Sequence, residues 1–186
     1  MSPASSTKQR ILGIARELFA RQGYTGTSIA DIARELGTST AALYYHFPSK
    51  ADILRGLIAE PLAAYTRLLG SLQERQPPAG ELLGAFIDLA ADSRELAVII
   101  DRDPAVLELI TEQLPESAQM NERVIEALAG PGADRAAVIR AHAALGVVKN
   151  ATMAAMSIDP APDGDAKLAP ADRAEILDAA LRALNA

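Results

Sequence analysis

The stretch that decides the fold is Thr27–Lys50, TSIADIARELGTSTAALYYHFPSK. Ser28 and Asp31 form the pattern S-x-x-D, which is typical of a capped helix N-terminus. The residues that follow place their apolar side chains on one helical stripe as far as Leu36. Gly37 ends this helix, because glycine adopts a positive φ at low cost. The first half of the stretch therefore predicts a short amphipathic helix.

The second half predicts another helix after a very short turn. Only Gly37, Thr38 and Ser39 separate the two helices, and Ser39 is a good N-cap for a helix over 40–47. Pro48 prevents that helix from continuing. Two helices joined by a three-residue turn have the geometry of a helix-turn-helix.

The flanking segments supply the rest of a small helical domain. Residues 8–22 read as an amphipathic helix with its apolar side chains at helical spacing, and Gly23 ends it. On the other side, Ser49 and Asp52 repeat the S-x-x-D pattern and open the next helix. We therefore predict a three-helix head over residues 1–50.

The predicted second helix of the motif carries an unusual exposed face. Leu43 and Phe47 are spaced to meet the core, which leaves Thr40, Ala41, Tyr44, Tyr45 and His46 outside. Side chains of this kind contact base edges and phosphates. From these residues alone, DNA binding and an ordinary helical hairpin with a solvated face remain alternatives.

Composition favours an all-α protein without disulfides. Ala and Leu dominate the 49% of hydrophobic residues, aromatic residues make up 4%, and there is no cysteine. The absence of cysteine also excludes thiolate metal sites and cysteine nucleophiles. The N-terminus lacks the apolar core of a secretory signal, and no long uncharged window predicts a membrane span. We expect a soluble, cytoplasmic protein with no membrane partner.

Charge is distributed unevenly along the chain, whose net charge is −6. Residues 1–50 contain six basic and three acidic side chains, a net charge of +3, whereas the remainder contains twelve and twenty-one, a net charge of −9. A basic head on an acidic body allows one end of the protein to approach phosphates. Chance clustering in a short segment is the alternative.

The motif resembles the signature of the TetR (tetracycline-repressor) family of transcriptional regulators. The elements Thr27-Ser28-x-x-x-Ile32-Ala33, Leu43-Tyr44-x-His46-Phe47 and Ser49-Lys50 stand together at the family's spacing. The match extends over residues 8–58, and beyond them the resemblance is architectural. It implies a DNA-binding head, a helical ligand-sensing and dimerisation domain over 51–186, and a ligand-released repressor that binds a palindromic operator as a homodimer.

The resemblance also implies roles for individual residues of the head. Thr40, Ala41 and Ala42 would face bases, Tyr44 and His46 would touch phosphates and sugars, and Lys50 would meet a phosphate. Thr27 and Ser28 would donate to phosphate from the N-terminus of their helix. The predicted DNA-binding set is Thr27, Ser28, Thr38, Ser39, Thr40, Ala41, Ala42, Tyr44, Tyr45, His46 and Lys50. It has no long Arg or Gln in the first turn of the recognition helix, so DNA shape would share in operator choice.

Beyond the head, apolar periodicity and loop residues predict a series of helices. Pro61 falls inside an apolar pattern that begins with a helix over 50–60, and it predicts either a kink or a helix boundary. Loop residues such as those of 76–80, 130–132 and 159–165 separate the later segments. The predicted later helices are 81–91, 93–100, 104–113, 115–129, 134–158 and a final helix from Pro170.

The last two helices predict the dimer interface, with burial inside one protomer as the alternative. The predicted interface residues are Ala144, Val148, Ala151, Ala155, Leu177, Leu181 and Leu184. A ligand pocket is predicted from larger or polar side chains on otherwise apolar helices, namely Tyr65, Phe86, Met120, His142, Asn150 and Met153. His142 and Asn150 stand out, because a buried polar group needs a partner.

Three other functions are alternatives to a repressor: an enzyme, an activator and a small-molecule-binding protein that does not regulate DNA. No Ser-His-Asp set, phosphate loop or metal-spaced His pair is present in the sequence, which argues against an enzyme and predicts neither a cofactor nor a metal. An activator with the same geometry and a helical small-molecule-binding protein that does not regulate DNA both remain open. The effector is an unknown small molecule, and the operator sequence and target genes are not specified by these residues.

Overall fold

The computed structural model of the protein describes residues 3–74, 77–113, 116–158 and 167–186. Within these ranges every regular element is a helix, which confirms the predicted all-α class. The helices are α1 (Pro3–Gln22), α2 (Ile29–Leu36), α3 (Thr40–His46), α4 (Lys50–Glu74), α5 (Ala79–Asp92), α6 (Arg94–Arg102), α7 (Ala105–Gln113), α8 (Glu116–Ala129), α9 (Arg135–Ile158) and α10 (Pro170–Asn185).

The chain folds into two compact units that do not follow chain order. The first unit contains Met1–Leu62 and Glu95–Gln113, and the second contains Ala63–Arg94 and Leu114–Ala186. Helices α6 and α7 therefore belong to the same unit as the helix-turn-helix. The division into functional domains at residue 50 stays a prediction, although the structural units assign α6 and α7 differently from it.

The core of the first unit is built by the amphipathic stripes of its short helices. Ile11 and Phe19 of α1, Ile32 of α2 and Leu43 of α3 are completely buried. Fully burying side chains of this size contributes about 1.5–3 kcal/mol each. Ala33 is also buried, and its small side chain permits a close approach between helices. The core thus fixes which face of α3 points outward.

Pro61 lies within α4, which continues from Lys50 to Glu74 without a break. The alternative of a boundary between two helices, which the sequence left open, is therefore not what the structure adopts. The proline lies one residue before the boundary between the two structural units.

In the second unit, α9 is the central helix and packs on α5, α8 and α10. Its buried face includes Ala141, Ala144, Val148, Thr152 and Met156. Helices α5 and α10 are joined by a bidentate ion pair, in which Nε and Nη2 of Arg173 donate to Asp88 at 2.6 and 2.7 Å. Gly84 lies beneath that guanidinium, where a Cβ would be only 3.0 Å from Nη2.

No helix within the described ranges has both the length and the apolar character that a bilayer-crossing segment requires.

Candidate nucleic-acid interface

The N-terminus of α2 is held by the capping box that the sequence predicts. Ser28 Oγ accepts from the N–H of Asp31 at 3.1 Å, and the N–H of Ser28 donates to Asp31 Oδ2 at 2.9 Å. The Ser28 hydroxyl also donates to that carboxylate. Reciprocal capping satisfies donors that a helix start otherwise leaves unpaired. The start of α2 is therefore rigid and exposed.

Acid should weaken this cap. Hydrogen bonds from the Ser28 hydroxyl and N–H, followed by the bond from Arg34, lower the pKa of Asp31 from 3.8 to about 2. Because the folded-state pKa is depressed, the stabilisation is complete above about pH 3.8 and is lost as pH falls towards 2. We expect Asp31→Asn to lower the urea midpoint at pH 7, and we expect this difference to shrink as pH falls through about 2 and to vanish only below it.

The control for this measurement is Glu35→Gln, which neutralises an exposed carboxylate on the same helix without touching Ser28. Circular dichroism at 222 nm follows unfolding of the three proteins across the pH range. A deficit of Asp31→Asn that is the same at pH 2 as at pH 7 would show that the carboxylate does not hold the cap.

The turn and the cap of α3 also follow the sequence prediction. Gly37 adopts φ 70°, in the left-handed region, and its N–H and that of Thr38 bond to carbonyls in the last turn of α2. Ser39 Oγ accepts from the N–H of Ala42 at 3.1 Å. Helix α3 ends at His46, one residue earlier than predicted, because Phe47 is extended. Both ends of the motif are therefore locally determined.

Most of the predicted DNA-binding residues are exposed, on α3, in the turn before it and at the start of α2. Leu43 is buried, and this burial turns Tyr44 (50% exposed) and Tyr45 (86% exposed) outward. His46 is half-buried, with its ring edge-to-face against Tyr45 at 5.3 Å. The other exposed residues of this set are Ser28, Thr38, Ser39, Thr40, Ala41 and Ala42. We call these nine residues the contact face.

Thr27 does not belong to the contact face, and its predicted role is corrected here. Its side chain is 1% exposed, its hydroxyl donates to the Gly23 carbonyl at 2.7 Å, and the Gln22 amide donates to it at 3.2 Å. A buried hydroxyl with both bonds made inside the protein has nothing to offer a phosphate. Thr27 therefore holds the connection between α1 and α2.

Lys50 is also engaged inside the head. Its Nζ donates to the carbonyls of Tyr24 and Thr27, both at 2.8 Å, and lies 4.3 Å from the centre of the Tyr24 ring. Desolvation by burial lowers the pKa of this ammonium. An ammonium has three N–H groups, so at most one remains for a phosphate. The predicted phosphate contact stays a prediction, and the observed role of Lys50 is to hold residues 24–27.

One residue that contacts this part of the head lies far from the motif in the sequence. Asp103, at the corner between α6 and α7, accepts from the N–H of Thr25 at 2.6 Å. Asp103 also caps α7, because its Oδ1 accepts from the N–H of Ala105 at 3.2 Å. A contact across 78 positions leaves no periodic trace in a single sequence.

The predicted ligand-pocket residues are dispersed. A cleft of about 930 Å³ in the second unit is lined by parts of α4, α8 and α9, and among the described side chains only His142 of the predicted set lines it. Tyr65 and Phe86 pack edge-to-face at 5.6 Å, and burial raises the pKa of Tyr65 to about 12. Met153 is half-buried, while Met120 lies outside the residues whose side chains are described.

Asn150 and His142 are predicted as buried polar groups, and that prediction is wrong, because both are exposed. The Asn150 amide donates to the Gly146 carbonyl one turn earlier at 2.9 Å. The buried polar group of α9 is Thr152, which is 0% exposed and whose Oγ1 has no hydrogen-bond partner among the described residues. A periodic Ala-rich helix gave no means of choosing between Asn150 and Thr152.

Some of the predicted dimer-interface residues are buried within the protomer, and the others are half-buried. Ala144 and Val148 are 0% and 2% exposed within one protomer, so they cannot form an interface between protomers, and their placement is corrected. The remaining five are half-buried and stay predictions, namely Ala151, Ala155, Leu177, Leu181 and Leu184.

Residues 11–57, which contain α2, α3 and their caps, match the family model of bacterial regulatory proteins of the tetR family. Over these residues the chain is similar to the TetR family. The match covers the contact face and the connection held by Lys50, and it ends before α5. The resemblance seen in the sequence is thereby confirmed.

Curated transcriptional regulators are similar to parts of this chain. The regulator AcrR of Shigella flexneri is 42% identical over 50 residues, 27% of this chain and 23% of AcrR. The repressor KstR2 of Rhodococcus jostii is 28% identical over 124 residues, 64% of this chain and 60% of KstR2. The chain thus spans less than two thirds of the length of these curated relatives.

Two solved structures share the fold over nearly the whole chain. AmtR of Mycobacterium smegmatis is 26% identical, with a TM-score of 0.65, and the alignment covers 100% of this chain and 89% of AmtR. A putative regulator from Saccharomonospora viridis in complex with choline is 25% identical, with a TM-score of 0.57, and 94% and 95% of the two chains are covered.

Proposed function

We propose that the protein is a transcriptional regulator that binds operator DNA through the contact face, acts as a homodimer on a palindromic site, and releases the DNA when a small-molecule effector binds. The observation that carries this proposal is the outward face of α3. It presents two exposed tyrosines and a row of small polar or apolar residues, and the buried Leu43 fixes its direction.

The chemistry of the contact face fits a DNA groove. Tyrosine, serine and threonine hydroxyls donate to phosphate oxygens, and alanine methyl groups pack on the thymine methyl. The exposed N-terminus of α2 adds N–H groups and a positive dipole end, which favour phosphates. Residues 1–50 carry a net charge of +3, so this end of an acidic chain attracts the duplex.

A homodimer is supported by an uncharged stripe along α9. On the side opposite its buried face, α9 exposes Ile139 (57%), Ala143 and Asn150, with Gly146 and Val147 half-buried between them. Small side chains allow two helices to approach closely, and within residues 139–150 the charged side chains of α9 lie outside this stripe. Two heads about 34–36 Å apart read successive major grooves of a palindrome.

Binding of an effector is supported by the unsatisfied hydroxyl of Thr152. Leaving a buried polar group without a partner costs about 1–3 kcal/mol, which a bound molecule can recover by supplying a hydrogen bond. The choline-bound structure shares the fold, which supports a small-molecule effector. We propose that the effector supplies a hydrogen bond to Thr152.

This assignment predicts opposite effects of one substitution with and without the effector. Thr152→Val keeps the shape of the side chain and removes the unpaired hydroxyl, so the ligand-free protein should become more stable by about 1 kcal/mol. Differential scanning fluorimetry with a compound library measures both this stabilisation and the thermal shift from a ligand. If Thr152→Val binds the effector as tightly as the wild type does, Thr152 is not part of the effector site.

The test of DNA binding is selection of duplexes from a random library, followed by fluorescence anisotropy at several salt concentrations. Neutralising phosphates releases counterions, so affinity should fall steeply as salt rises. The selected site should be an inverted repeat. Failure to enrich any sequence, or affinity that ignores salt, would contradict the proposal.

A further inference from the structure

The corner between α6 and α7 packs directly against the connection between α1 and α2. Asp103 Oδ2 accepts from the backbone N–H of Thr25 at 2.6 Å. The approach is close, since a Cβ on Gly23 would lie 3.5 Å from the same oxygen. A carboxylate that accepts from a backbone N–H makes a charge-assisted bond, roughly twice as strong as a neutral one.

Two further contacts join α6 to α1. Arg102 donates to the carbonyl of Arg21 in the last turn of α1, and Glu95 of α6 pairs with Arg16 of α1 at 2.6 Å. The Arg16–Glu95 pair is about half exposed, and exposed pairs contribute little by themselves. Together with Asp103, these residues place α6 along α1 and its C-terminal connection.

The connection leads directly to the contact face. Thr25 is three residues before Ser28, the N-cap of α2, and α3 follows α2 after three residues. Lys50 holds the same connection through the carbonyls of Tyr24 and Thr27. Residues 24–27 are thus held by Lys50, which lies within the family motif, and by Asp103, which lies far outside it.

We propose that Asp103 is a positioning residue for DNA binding. It fixes the connection, and through it the N-terminus of α2 and the contact face, before DNA arrives. The helix-turn-helix of residues 11–57 is on this account incomplete without the α6–α7 corner. The inference rests on the proposed function, because the contact face must bind DNA for its position to matter.

Asp103 has a second role that a test must separate from the first. Its Oδ1 caps α7 by accepting from the N–H of Ala105, so removal of the whole carboxylate would also loosen α7. Serine is a good N-cap. Its hydroxyl has a single oxygen on a shorter side chain, so Asp103→Ser keeps the cap of α7 and loses the bond to Thr25.

The test compares full-length Asp103→Ser with the wild type and with Asp101→Ser, an exposed position two residues earlier. Hydrogen–deuterium exchange without DNA reports on residues 23–31, and fluorescence anisotropy reports on binding to the selected duplex. For Asp103→Ser we expect faster exchange in 23–31, an unchanged melting temperature and about tenfold weaker DNA binding, the equivalent of one charge-assisted bond. Asp101→Ser should match the wild type in all three.

Unchanged exchange over 23–31 would overturn the proposal, and so would faster exchange with undiminished DNA affinity. A wild-type protein that binds no DNA would instead refute the proposed function. The exchange comparison, made without DNA, would still decide whether Asp103 holds the connection.

Discussion

Ala42→Glu should abolish operator binding while leaving the head folded or slightly more stable. Ala42 is exposed in the first turn of α3, and its N–H is already bonded to Ser39 Oγ. A glutamate here completes a capping box and lies at the positive end of the helix, which favours the helix. The same carboxylate would face phosphates, and repulsion of this kind costs several kcal/mol, at least about a hundredfold in affinity.

The matched control is Ala42→Gln, which has the same shape and the same capping capacity but no charge. Anisotropy titration with the selected duplex should give a much smaller loss for glutamine than for glutamate, and urea unfolding should show both variants to be folded. Equal and small losses for the two variants would mean that position 42 does not face the DNA.

Ala143→Glu should convert the dimer into folded monomers and reduce operator affinity roughly a hundredfold or more, since two linked heads gain that much from binding together. Ala143 is exposed in the protomer and lies on the uncharged stripe of α9. A carboxylate there would be buried without a partner between two helices, which is costly. Size-exclusion chromatography with light scattering measures the mass.

The neighbouring Ala144→Glu provides the contrast, because Ala144 is completely buried within the protomer. Its carboxylate would enter the core and unfold the second unit, whatever the oligomeric state. A dimer that survives Ala143→Glu would place the interface on another surface.

The sequence predicted the head well because its signals are local. The capping box of Ser28 and Asp31 and the left-handed Gly37 depend on residues a few positions apart, and the structure reproduces both. Thr27 was misjudged for the opposite reason. Whether a threonine at a helix start faces solvent or bonds to Gly23 depends on how α1 ends, which is a tertiary property.

The body was predicted less fully, because its helices are nearly uniform in composition. Alanine occurs on several faces of α9, so periodicity could not show that Ala144 and Val148 face inward while Ala143 faces outward. The contact of Asp103 with Thr25 is the extreme case. Both residues look like ordinary loop positions, and only the fold brings them together.

The central claim is that the contact face lies against DNA, and site-specific cross-linking tests it most directly. The chain has no cysteine, so Thr40→Cys introduces a unique thiol at the start of α3, and Ala171→Cys introduces one on exposed α10. Each variant is mixed with the selected duplex carrying a disulfide-activated thiol tether on a base. The account predicts a covalent complex for Thr40→Cys and none for Ala171→Cys. Equal cross-linking of the two, or none from a Thr40→Cys protein that still binds the duplex, would contradict it.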